Sequence, residues 1–81
     1  GSPADAKESA LKQLTVRERE ILNHLAQGLS NKAIARMLEI SHDTVKLHVW
    51  HILAKLNLTS RVEAAVFAVE QKNAAIGRRA E

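Results

Sequence analysis

The sequence predicts an all-α fold: a compact four-helix domain containing a helix-turn-helix. Three observations carry this reading. Four segments repeat apolar residues at helical spacing, each opened by a capping residue. No alternating β-branched run and no hairpin dipeptide interrupts them. A short helical segment and a longer, capped one are joined by a tight connection, the pattern of a helix-turn-helix.

Thr15-Val16-Arg17-Glu18 opens the first helix as a capping box, in which hydroxyl and carboxylate each meet an orphan backbone N–H. Ile21, Leu22, Leu25 and Ala26 then form an apolar stripe, and Gly28 is suited to a left-handed stop. Ser30 or Asn31 caps a short second helix whose buried stripe is Ile34, Ala35 and Leu38. Glu39-Ile40 makes the tight connection. Ser41 caps a third helix from about His42 to about Leu56, with Asp43 in its positive first turn. Val45, Val49, Ile52, Leu53 and Leu56 give that helix one core face. Asn57-Leu58-Thr59 ends it. Ser60-Arg61-Val62-Glu63 is a second capping box, and Val62, Ala65, Val66 and Val69 are the expected core stripe of a fourth helix.

The flanks are expected to be loose. Residues 1–13 carry the only proline, Pro3, and begin with Gly1-Ser2, which reads as a protease-cleavage scar on an excised domain. They are taken as scar and linker, 14–72 as the domain, and 73–81, with Gly77 and Arg78-Arg79, as a flexible tail.

Composition narrows the function. At 81 residues and 46% hydrophobic, the chain supports one small core and no second domain. The absence of Cys excludes a disulfide scaffold, a thiol nucleophile and a thiolate metal site, and fits a cytoplasmic location. No run of about 18 apolar residues predicts a membrane span. No Ser/His/Asp set, phosphate-cradling glycine loop or carboxylate pair points to an enzyme, and no cofactor is expected. A net charge of +3 permits a polyanionic partner.

The outward face of the third helix is more informative. Helical steps of 100° place Asp43, Lys46, Leu47, Trp50 and Ala54 opposite the core, flanked by Thr44 and His51. Two large apolar residues pointing outward need a reason. A recognition helix in the DNA major groove supplies one. Lys46 can donate to a guanine edge or a phosphate, Leu47 can meet a thymine methyl, and Trp50 can pack on a sugar or methyl. Thr44 lies in the first turn, where hydroxyl and N–H groups meet phosphate. Between residues 41 and 61, Lys46, Lys55 and Arg61 face only Asp43, a local net charge of +2. His42, His48 and His51 can add charge beside a polyanion. The alternative, from a different class, is a protein-interaction module that docks a partner such as RNA polymerase on the Leu47/Trp50 face or on an Ala64/Phe67/Ala68 face of the fourth helix.

His48 and His51 stand three apart. With no Cys and no evident third ligand, no metal site is expected. His48 lies at the edge of the core stripe, where a structural role and a phosphate contact compete. His24 is read as a surface residue. On the fourth helix, Ala64, Phe67 and Ala68 form a second apolar stripe opposite the valines. That stripe is expected to be a homodimer interface, and a weak one, since small residues bury little area.

Several of these stretches together resemble a known family. Leu14-Thr15-Val16-Arg17-Glu18-Arg19-Glu20, Gly28-Leu29-Ser30-Asn31-Lys32 with Ile34-Ala35, Thr44-Val45-Lys46-Leu47-His48 and Lys55-Leu56 look like the LuxR/FixJ/NarL-type helix-turn-helix DNA-binding domain. The resemblance covers about residues 13–71, and the run from Ser60 to Val66 is most similar to the NarL-like branch. It implies the C-terminal output domain of a bacterial two-component response regulator. By similarity, Lys46, Leu47 and Trp50 face the groove, and Thr44 and His48 meet the backbone; His51 and Lys55 are further candidate DNA-binding residues. Two copies bind inverted half-sites of double-stranded DNA and touch through the fourth helix. The resemblance also implies an upstream receiver domain whose phosphorylation uncovers the recognition helix, so the domain alone binds DNA constitutively. An autoinducer-type or stand-alone regulator would carry the same domain. NarL-like relatives typically have a basic residue where this chain has Trp50. That difference removes one phosphate-attracting charge and lowers the salt slope by roughly one unit.

Overall fold

The computed structural model describes residues 9–80, with side chains described for 9–73. Four helices follow in order: α1 (Val16–Ala26), α2 (Asn31–Leu38), α3 (His42–Leu56) and α4 (Arg61–Ala80). Among the described residues there is no strand. Ile21, Ile34, Val45 and Ile52, drawn from α1, α2 and α3, are fully buried at the centre of one core.

The start of each of the first three helices follows the expected caps. Thr15 and Glu18 form the reciprocal box: Thr15 Oγ1 accepts from the Glu18 N–H at 3.1 Å, and Glu18 Oε1 accepts from the Thr15 N–H at 2.8 Å. Ser30 Oγ accepts from the Ala33 N–H, and Ser41 Oγ from the Thr44 N–H. All three helices end in paired backbone bonds around a left-handed residue. After α1 that residue is Gly28, at φ 81°. The Gly28 N–H donates to Leu25 O and the Leu29 N–H to His24 O, which satisfies two orphan carbonyls. Asn57, at φ 57°, closes α3 in the same way, with its N–H on Ala54 O and the Leu58 N–H on Leu53 O. Glu39, also at φ 57°, closes α2 with the Glu39 and Ile40 N–H groups both donating to Ala35 O. A left-handed non-glycine residue costs about 1–2 kcal/mol. The tight turn between α2 and α3 therefore stores strain at Glu39.

α3 spans the expected His42–Leu56, and Val45, Val49, Ile52 and Leu56 face inward. Its neighbour α4 departs from expectation in three ways. Its buried face is Ala64, Phe67 and Ala68, while Val62, Val66 and Val69 are exposed. The expected dimer stripe is thus the buried one, and of the expected core stripe only Ala65 is half-buried. Phe67 is the only phenylalanine and has the most apolar area to remove from water. Ala64 and Ala68, three residues before it and one after, let the α4 backbone come close to α1. Second, Glu63 does not complete a box with Ser60. Its N–H donates to Ser60 Oγ, but its carboxylate accepts from the Thr59 N–H and the Thr59 hydroxyl instead. Third, α4 runs on through Gly77 to Ala80 rather than giving way to a tail at 73. One glycine costs about 1 kcal/mol in a helix and does not by itself end it.

The lead-in is also more ordered than expected. Residues 9–12 are helical, and Ala10 and Leu11 pack partly buried against the core. The Arg19 guanidinium donates to Leu11 O at 3.1 Å. The reading of Gly1-Ser2 as a scar lies outside the described residues.

Candidate nucleic-acid interface

The helix-turn-helix consists of α2, the strained turn at Glu39 and α3. Because the inward face of α3 is filled with aliphatic side chains, its outer face is fixed in orientation by the core. On that face Lys46 is exposed, Leu47 is 54% exposed and Trp50 is 65% exposed. The Trp50 ring meets the edge of the His51 ring, with centroids 5.4 Å apart at 62°. Thr44 is half-buried, and its hydroxyl lies 2.7 Å from Ser41 Oγ, the N-cap of the same helix. The first turn of α3 therefore presents a hydroxyl pair beside its positive end.

The charge near this face is smaller than the sequence tally. Lys55 Nζ donates to Glu18 Oε1 at 2.7 Å. The pair joins α3 to α1, with Glu18 almost fully buried. Arg61 is also committed: its guanidinium donates to Asn31 Oδ1 at 2.7 Å and Leu29 O at 2.8 Å, tying the start of α4 to the α1–α2 connection. Of the three cations counted between residues 41 and 61, Lys46 alone is exposed. Lys32 and Arg36, four apart on the outer face of α2, are exposed as well.

Glu18 is the residue whose role here was hidden. Burial pushes its carboxyl up, but hydrogen bonds from Lys55 and the Thr15 N–H, with the Lys55 charge, outweigh burial and hold it below the ordinary carboxylate range. A carboxyl with a lowered pKa stabilises the fold as its anion. That contribution is complete above about pH 4.5, the ordinary value, and is lost as pH falls through the lowered one. Urea unfolding of the natural chain and of Glu18→Gln should therefore differ by a constant gap at neutral pH. The gap should close below pH 4.5. A gap independent of pH would mean that the Lys55 pair contributes nothing.

His48 and His51 lie beside this pair. Both are half-buried, and each brings a ring nitrogen into a group with a Glu18 carboxylate oxygen in which all ligand atoms lie within 4.8 Å of one another. His48 Nδ1 is buried without a hydrogen-bond partner. His48 is therefore part of the α1–α3 contact as well as the edge of the outer face. His24, expected at the surface, is half-buried, and its Nδ1 is likewise buried and unpartnered. The expected dimer residues Ala64, Phe67 and Ala68 are in the core and unavailable to a partner. The exposed apolar stripe of α4 is Val62, Val66 and Val69. The presence of the only phenylalanine on the opposite face was the signal for this in the sequence.

Comparison with known proteins agrees with this architecture. Residues 12–68 match the family described as bacterial regulatory proteins, luxR family. The chain is 55% identical over 65 residues to the nitrate/nitrite response regulator protein NarL of Escherichia coli (strain K12), covering 80% of this chain and 30% of that protein. It is 49% identical over 69 residues to the nitrate/nitrite response regulator protein NarP of the same strain, covering 85% of this chain and 32% of NarP. It is 45% identical over 69 residues to the DNA-binding transcriptional activator DevR/DosR of Mycobacterium tuberculosis, covering 85% and 32%. The chain thus spans less than a third of the length of these relatives. With its helix-turn-helix and its family match over residues 12–68, the chain belongs to the LuxR family of bacterial regulatory proteins.

Proposed function

We propose that this domain reads double-stranded DNA sequence-specifically by laying α3 in the major groove. It would do so as the C-terminal output domain of a two-component response regulator in the cytoplasm. The observation that carries the reading is the outer face of α3, where Lys46, Leu47 and Trp50 are exposed together on a helix held rigidly from behind. Lys46 donates to a guanine edge or a phosphate, and Leu47 meets a thymine methyl. Trp50 packs on sugars beside them, with its indole N–H able to reach a phosphate. Thr44 and the N-terminus of α3 meet the backbone. Among the described residues, no helix is long and apolar enough to cross a membrane.

Two chains bind an inverted pair of half-sites and touch through α4. Val62, Val66 and Val69 support this, since their spacing places three exposed β-branched side chains on one stripe. The seam is small, so the free dimer is weak and forms chiefly on DNA. In the whole protein, a receiver domain upstream covers α3 until it is phosphorylated, and the bound dimer engages RNA polymerase. Sedimentation of the domain on an inverted-repeat duplex tests the assembly. The natural chain should bind two per duplex. Val66→Asp, at an exposed position, should remain folded and bind one per duplex more weakly. Two chains per duplex with undiminished affinity in Val66→Asp would move the interface off this face.

A further inference from the structure

We propose that Glu18, His48 and His51 form a binding site for a divalent transition-metal ion of the zinc class, linking α1 to the groove-facing helix α3. The three side chains offer one carboxylate oxygen and two imidazole nitrogens, all within 4.8 Å of one another. Zinc takes this donor set readily, with three protein ligands and a water in the fourth position. Ligand atoms about a tetrahedral ion stand roughly 3.3–3.6 Å apart, given metal–ligand bonds of about 2.0–2.2 Å. Rotations of the two imidazoles that move each donor nitrogen by about 1 Å close the gap while Glu18 stays in its capping box. His48 and His51 are three apart on α3 and therefore share a face. Glu18 is nearly fully buried in α1, where the capping box fixes its position. Two of the three ligands are thus placed by one helix and the third by another. With imidazole in the set, Zn2+, Co2+, Ni2+ and Cu2+ are favoured over Mg2+ and Ca2+.

Two further observations point to a cation at this place. His48 Nδ1 is buried and has no hydrogen-bond partner among the described residues, so this imidazole has an unsatisfied polar atom for which metal–ligand geometry offers an explanation. The Glu18 carboxylate already holds a cation, the Lys55 ammonium, and both of its short hydrogen bonds fall on Oε1. Lys55 is partly exposed, with 34% of its side chain accessible, so it can swing into solvent when a metal takes the carboxylate. Metal and ammonium therefore compete for one anion. This competition gives the site a signature that simple chelation by two surface histidines lacks.

Trp50 provides the readout. It is the only tryptophan, and its ring touches that of His51. Titration of the protein with Co2+ should quench Trp50 fluorescence saturably at one ion per chain, and Zn2+ should reverse the quenching by displacement. Lys55→Met should tighten Co2+ binding at least threefold, a gain that unfolding cannot produce. His51→Ala and Glu18→Gln should each weaken it tenfold or more, with circular dichroism used to verify that the helices persist. His24→Ala should change nothing. No saturable one-to-one quenching overturns the proposal. So does an affinity left unaltered by Lys55→Met, or one retained in His51→Ala.

Discussion

Lys46→Ala should lower affinity for a cognate duplex by about 1–3 kcal/mol, roughly fivefold to a hundredfold, while leaving the helical circular dichroism unchanged. The magnitude follows from isolation. Lys46 is exposed on α3, whereas Lys55 is held by Glu18 and Arg61 by Asn31 and Leu29 O. No second exposed cation on α3 compensates for its loss. Two sub-cases separate by salt. If Lys46 meets a phosphate, the slope of log affinity against log salt falls by about one and all sequences weaken alike. If it reads a guanine, discrimination at one base pair relaxes while the slope changes little. Anisotropy titrations on cognate and point-mutated duplexes at two salt concentrations distinguish them. Undiminished affinity for every duplex would remove Lys46 from the interface.

Phe67→Ala should destabilise the domain by about 3–5 kcal/mol, the usual cost of emptying a buried phenylalanine site. Small domains hold a net stability on the order of 5 kcal/mol, so only about 0–2 kcal/mol would remain and up to roughly half of the molecules would be unfolded. The neighbouring Val66→Asp should change stability by no more than about 0.5 kcal/mol, because Val66 is 51% exposed. Adjacent positions on one helix thus have opposite consequences: Phe67 governs folding, and Val66 governs pairing. Thermal unfolding followed by circular dichroism decides it. A stable Phe67→Ala beside an unfolded Val66→Asp would mean that α4 packs through its valines.

What could be read in the sequence follows from how local the determining physics is. The caps at Thr15, Ser30 and Ser41 and the left-handed stop at Gly28 depend on neighbours within a few residues, and these fixed the first three helices. α3 was legible to the residue because its apolar stripe is backed by a polar face broken only by Leu47 and Trp50. α4 was not, since it is apolar on both sides. Three valines weigh more in a periodic pattern than one phenylalanine and two alanines, although the phenylalanine buries more area and the alanines permit closer packing. Glu63 shows a finer failure: the Ser60 spacing is right for a box, but the Thr59 hydroxyl offers its carboxylate a second bond. The outer-face residues Lys46, Leu47 and Trp50 could be placed by helical steps alone. The Lys55–Glu18 contact could not, because 37 residues separate the partners and only the packing of α3 on α1 brings them together. Counting Lys55 and Arg61 as free charge therefore overstated the positive field near α3. The same packing supplies Glu18 as the third ligand that His48 and His51 lacked in sequence.

The most direct measurement is an anisotropy titration of this domain against a short duplex carrying an inverted repeat of the half-sites used by NarL-type relatives. A scrambled duplex is the control, and both are measured at low and moderate salt. The predicted result is tighter binding to the repeat, two chains per duplex, and affinity that falls with salt by a small slope, since few phosphates are neutralised by so few free cations. Equal affinity for both duplexes would contradict sequence-specific reading by α3, and no binding even at low salt would contradict the groove-binding role altogether.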